Sequence, residues 1–195
     1  QPGSGMFPTL ESFHKLIVAC GALPCCAWLD GTTPTEEAME KWLDFLVDKG
    51  VVALNIIPDR NWNVPDPEAR RRKVQNLNDV VELAQELDLP LNVGTEMNSF
   101  GQKLVDDFDT PELAPLRQPL LDGAFFVYGH TTMQRAIGLG YQSEWASTFL
   151  PTRRQRNKFY VQVGRLVPPG QPGLDRVQEL DPEQSPSSIL SGLAS

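Results

Sequence analysis

The sequence predicts an α/β fold with parallel strands, a partial (βα)7/8 barrel of TIM type with about four strands. Three observations predict it. Short apolar runs bounded by turn residues alternate with amphipathic segments, at a spacing of roughly 30 to 40 residues. The runs are apolar throughout rather than alternating, as strands covered on both faces are. An ionisable or amide group follows every run, where parallel α/β folds carry their chemistry. A closed eight-stranded barrel takes about 250 residues. This chain has 195, so the barrel is expected to be partial.

The first helix is expected over 10–20, capped by Thr9, with Phe13, Leu16, Ile17 and Cys20 as its apolar stripe. Gly21 ends it, and 22–29 reads as a buried strand followed by Asp30, Gly31 and Thr32. The second helix starts with a capping box, Thr33 at the cap, Pro34 at the first helical position and Glu36 behind it. Ala38, Trp42, Phe45 and Leu46 give its apolar face and Gly50 its end. The next strand is 51–57, followed by Pro58, Asp59, Arg60 and Asn61. A long helix over 67–87 is capped by Asp66 and turns Val74, Leu77, Val81, Ala84 and Leu87 inward. Its basic run, Arg70 to Lys73, reads as a solvated face. The third strand, 91–94, ends in Thr95, Glu96, Met97 and Asn98.

The fourth unit is less regular. A short helix is expected over 103–108, and another starts at Thr110, broken by Pro115 and Pro119. Residues 124–128 read as the fourth strand, closed by Gly129 and His130. Helices follow over 131–139, 143–150 and 154–166. The barrel domain therefore spans 9–166, between a disordered end (1–8) and a flexible tail (167–195) rich in Pro, Gly and Ser. The first Met is Met6, so the start of the chain reads as a cut end.

Composition narrows the function. Lys and Arg number 17 against 25 Asp and Glu, a net charge of −8. That balance argues against broad binding of a nucleic-acid backbone, which needs a basic face. The longest apolar stretch, 16–29, is broken by Gly21 and Pro24 and is too short to span a membrane. Three Cys, odd and sparse, point to a reducing, cytoplasmic setting.

The strand-end rule selects the candidate site. Glu96 follows a parallel strand directly and would point into the mouth of a barrel. Asn55 is an amide inside an apolar strand and must find a partner. Asp30 and Asp59 also suit simple turns, and His130 equally suits a hydrogen-bonded core position.

The segments Ala22 to Trp28, Gly50 to Asn55 and Leu89 to Asn98, with the helices between them, resemble the C-terminal half of the polymerase-and-histidinol-phosphatase (PHP) family. That family is a distorted (βα)7 barrel that hydrolyses phosphoesters with a cluster of divalent metals. The resemblance covers about residues 20–100 and rests on the order and spacing of elements. Two motifs depart from it. Ala27-Trp28-Leu29 stands where the family has an Ala-His-Pro-like segment. Gly94-Thr95-Glu96-Met97-Asn98 is similar to the family's Gly-Ser-Asp-x-His, keeping a carboxylate and replacing the His. The chain has two His and no His-x-His.

The resemblance implies a metal-dependent hydrolase of a small phosphorylated or polar substrate. Glu96 and Asn98 would hold a divalent cation (Mg, Mn or Zn), with Glu96 and His130 catalytic. Asn55, Asp59, Arg60, Asn61 and Asn98 would bind substrate. The alternative is an inactive barrel fragment that binds a sugar or sugar phosphate, or serves a structural role. Open sheet edges would be covered by a second copy or by an N-terminal half.

Overall fold

The protein, described here by a computed structural model covering residues 3, 5–97, 100 and 104–195, is mixed α/β. Among the described residues one sheet forms, of three parallel strands, β1 (Cys25–Trp28), β2 (Ala53–Ile56) and β3 (Leu91–Val93), side by side in that order. Register separates the two faces. Trp28, Ile56 and Val93 align on one, Ala27, Asn55 and Asn92 on the other. The first face is apolar because helices cover it. Trp28, Leu54, Ile56 and Leu91 join Leu43 and Leu46 of α3 (Met39–Asp48) and Leu77, Val80, Val81 and Ala84 of α5 (Pro67–Glu86) in one buried cluster. Each Val, Leu or Ile side chain among them contributes about 1.5–3 kcal/mol on burial. On the second face Ala27 is exposed and Asn55 and Asn92 are half-buried.

Several elements depart from expectation. The helix α1 (Leu10–Ala19) forms under its Thr9 cap but buries no residue, and Phe13 and Leu16 of the expected core stripe are exposed. Its packed side is instead the one carrying His14, Ile17 and Val18, all half-buried. The second helix is two helices, α2 (Pro34–Glu37) and α3, parted at Ala38, and Phe45 is exposed. A short α4 (Asp59–Trp62) stands at Asp59, a residue that in sequence also suits a simple turn. Of the helix expected over 103–108, residue 103 lies outside the described residues and 104–108 are not helical.

The fourth strand is absent among the described residues. Residues 124–128 belong to α6 (Arg117–Ile137), which follows a 3-10 turn, Ala114–Leu116. Buried Leu120, Gly123, Phe126, His130 and Met133 recur every three or four positions, a helical period that an isolated apolar run conceals. This helix packs on the outer edge of β3. Pro90 O accepts from Leu54 N–H at 2.9 Å, so the next carbonyl, of Leu91, faces away from β2. A Cβ at Gly123 would lie 1.7 Å from that Leu91 oxygen. Only glycine permits the approach.

The remaining helices are α7 (Glu144–Phe149), α8 (Arg153–Leu166), α9 (Gln171–Gln178) and α10 (Pro186–Ala194). The last two replace the flexible tail that the composition suggests. Val177, Ile189 and Leu193 are buried in a second cluster with Phe159, Tyr160 and Val163 of α8. Two of the prolines there start helices rather than break them: Pro172 lies in the first turn of α9, and Pro186 takes the first position of α10 behind the Ser185 cap. Of the expected disordered end, residues 1, 2 and 4 lie outside the described residues. Among the described residues no helix is long and apolar enough to cross a membrane.

Candidate functional site

The residues after the three strands meet in one charged cluster. Arg60, on α4 after β2, donates from Nη1 to Glu96 Oε2 at 2.8 Å, and its Nη2 lies 3.6 Å from Asp30 Oδ2. Lys73 reaches the same Asp30 oxygen from α5 at 2.9 Å. Two cations thus face two carboxylates, and the cluster is neutral as a unit. Asp30 is 4% exposed. Burial alone would raise its pKa, but the Lys73 ammonium and the Thr32 hydroxyl and amide outweigh that and hold it below the usual carboxylate value. The bond from Arg60 to Glu96 raises the guanidinium further above its ordinary value.

Local chemistry fixes Asp30 in place. The expected capping box is half made. Thr33 Oγ1 accepts from Glu36 N–H, but the Glu36 carboxylate turns to the end of β1, accepting from Leu29 N–H at 2.7 Å and Gly31 N–H at 3.2 Å. Asn76 of α5 closes the turn from the other side, donating to Asp30 O at 3.0 Å and Gly31 O at 3.2 Å. Two helices therefore hold the turn that presents the carboxylate.

The other expected site residues divide. Asn61 is fully buried and ties strand ends together, donating to Leu29 O at 3.0 Å and Ile57 O at 3.1 Å. Its Oδ1, like Trp28 Nε1, is buried without a partner among the described residues. Asp59 is buried and accepts from Asn63 Nδ2 at 2.9 Å, one helical turn on. Both are architectural. Asn55 lies on the second face, where Asn92 Nδ2 donates to its Oδ1 at 2.9 Å. Asn98 lies outside the described residues.

His130 does not join the cluster. It is buried on α6 and bonds backbone at the other, N-terminal side of the sheet. Its Nδ1 accepts from Tyr141 N–H at 3.0 Å, which leaves Nε2 protonated and donating to Gly21 O at 3.1 Å. Burial lowers its pKa, against the opposing pull of the Gly21 carbonyl. This is a structural neutral imidazole and not a partner of Glu96.

The described residues do not fit a divalent cation. No three His, Cys, Asp or Glu among them are grouped to hold one. The space between the Asp30 and Glu96 carboxylates is filled by the Arg60 guanidinium. A cavity of about 720 Å³ lies beside the cluster, between α2, α3 and α5, and is walled by carboxylates such as Glu40, Asp79 and Glu86.

The strand-end rule selected Arg60 and Glu96, but it missed two participants. In sequence Lys73 belongs to the basic run Arg70 to Lys73, which reads as a solvated face. The signal for it was its place on the first turns of α5, the turns that start beside the strand ends. Asn92 carried only a weak signal, an Asn where a strand prefers Val or Ile. No protein-family model matches the chain, and neither a curated protein nor a solved structure does.

Proposed function

We propose that the chain binds a small polar ligand, a sugar or sugar phosphate, at the C-terminal ends of its strands. In this reading it is a PHP-like partial barrel without a hydrolytic centre of its own. One observation carries the proposal. The strand-end carboxylates Asp30 and Glu96 are neutralised in place by Arg60 and Lys73, so neither is open to a metal or set up as a base. Acid and base expected from the sequence, His130 and Glu96, sit at opposite sides of the sheet. What the strand ends offer is fixed hydrogen-bonding groups, which suit recognition. The partial-barrel reading draws support from three parallel strands joined through helices, in the order that the PHP resemblance implies.

The test is thermal unfolding of the full chain with sugars and sugar phosphates at saturating concentration. A ligand at a hundred times its Kd stabilises by about 2.7 kcal/mol. Stabilisation of the wild type that disappears in an Asn55→Val, Arg60→Gln double variant is the expected result. No stabilisation by any of these ligands overturns the proposal. Manganese-dependent hydrolysis of p-nitrophenyl phosphate that is lost in Glu96→Gln would replace it with the hydrolase reading.

A further inference from the structure

We infer that the second face of the sheet, at the C-terminal end of its strands, recognises the hydroxyl groups of a neutral polyol or sugar, through the amide pair Asn55 and Asn92. The inference rests on the strand-end binding reading and names its ligand class.

Asn55 and Asn92 are register partners on adjacent strands, so their side chains share one face. Both are half-buried, beside the exposed Ala27 of β1. The bond from Asn92 Nδ2 to Asn55 Oδ1 at 2.9 Å orients both amides. It leaves Asn55 Nδ2 as a donor and Asn92 Oδ1 as an acceptor, neither with a further protein hydrogen bond among the described residues. The strand end makes room for this arrangement. A Cβ on Gly94 would stand 2.7 Å from Asn55 Nδ2, so the amide lies where any other residue would place its side chain. Asn is also a poor strand residue. The opposite face carries Trp28, Ile56 and Val93 in the neighbouring register.

The chemistry selects the ligand. A hydroxyl both donates and accepts. One hydroxyl, or two neighbouring ones, accepts from Asn55 N–H and donates to the Asn92 carbonyl. A phosphate or carboxylate presents only acceptors when ionised and would set its oxygens against Asn92 Oδ1. A metal cation would meet the Asn55 N–H. The nearby cations give an anion no added attraction, since Arg60 and Lys73 are already matched by Glu96 and Asp30.

The experiment uses the full 15N-labelled chain, with side-chain amide signals followed during titration with myo-inositol, D-glucose, D-ribose and glucose 6-phosphate. Expected are shifts of the Asn55 and Asn92 amide signals with at least one neutral polyol. Losing one hydrogen bond to the ligand should weaken binding about five- to tenfold. Asn92→Val should do this, and it keeps the fold because Val suits a strand better than Asn. Gly94→Ala should do the same by moving the Asn55 amide. Polyol affinity equal to wild type in both Asn92→Val and Gly94→Ala overturns the amide pair as the recognition element and leaves strand-end binding standing. Binding of glucose 6-phosphate alone, lost in Arg60→Gln, does the same. Absence of binding by all four ligands to the wild type overturns both readings.

Discussion

Replacing His130 by Ala should destabilise the protein by about 2–6 kcal/mol. The imidazole satisfies two backbone groups from distant segments, accepting from Tyr141 N–H at 3.0 Å and donating to Gly21 O at 3.1 Å. The residue is 4% exposed, so water does not readily replace it. A buried backbone group left without a partner costs about 1–3 kcal/mol, and two such groups give the stated range. In a chain of this size that lowers Tm by on the order of 10 °C. The pH dependence gives an independent check. Burial lowers the native His130 pKa, while in the unfolded chain it titrates near 6.5. Between the two values the unfolded state holds the extra proton, so stability rises with pH there and is complete above about 6.5. As pH falls below about 6.5 the wild type should lose this contribution, and His130→Ala should not. Guanidinium unfolding at a series of pH values, read by circular dichroism, measures both. A loss under about 0.5 kcal/mol at neutral pH, or an unchanged pH slope in the variant, would refute the clamp.

Other outcomes follow from the same geometry. Asp30→Asn leaves Lys73 and part of Arg60 without their counter-charge and should cost about 2 kcal/mol in chemical denaturation, discounted for the partial exposure of both cations. Glu96→Gln should change stability by under about 1 kcal/mol, because its bridge to Arg60 is partly solvated. A loss above about 3 kcal/mol would show that the pair is structural. Gly123→Ala should destabilise by more than about 2 kcal/mol, since the new methyl meets the Leu91 carbonyl and not a movable side chain. Amide exchange at β3 should rise with it. Truncation after Leu166 removes buried Val177, Ile189 and Leu193 and should abolish cooperative thermal unfolding, at a cost of roughly 1.5–3 kcal/mol for each side chain lost.

The three strands were legible because they are short, apolar and bounded by turn residues, and because helices cover their first face. The long helix α5 was legible from its Asp66 cap and its period. Residues 124–128 were misread for a physical reason. An apolar run of that length is compatible with a strand or a buried helix, and small Gly123 and Gly129 hide the period of the face that packs. That one misreading also misplaced His130, which looked like a strand end only if a strand preceded it. Arg60 and Glu96 were found because the strand-end rule depends on topology alone. Lys73 was not, because its contact with Asp30 depends on which face α5 turns to β1, a tertiary property. The tail was misread because Pro and Gly counts carry no position, and position decides whether a proline starts a helix or breaks it.

The helix lying along β3 makes the sheet one-ended. No strand pairs with the outer edge of β1 among the described residues, whereas the far edge is closed by α6. Strand addition therefore has a single polarity. Two copies joined through their β1 edges would form a six-stranded sheet with a helix at each end and no edge left to extend. Association by this route terminates at two, and the stacking of copy upon copy that leads to fibres has no second docking site.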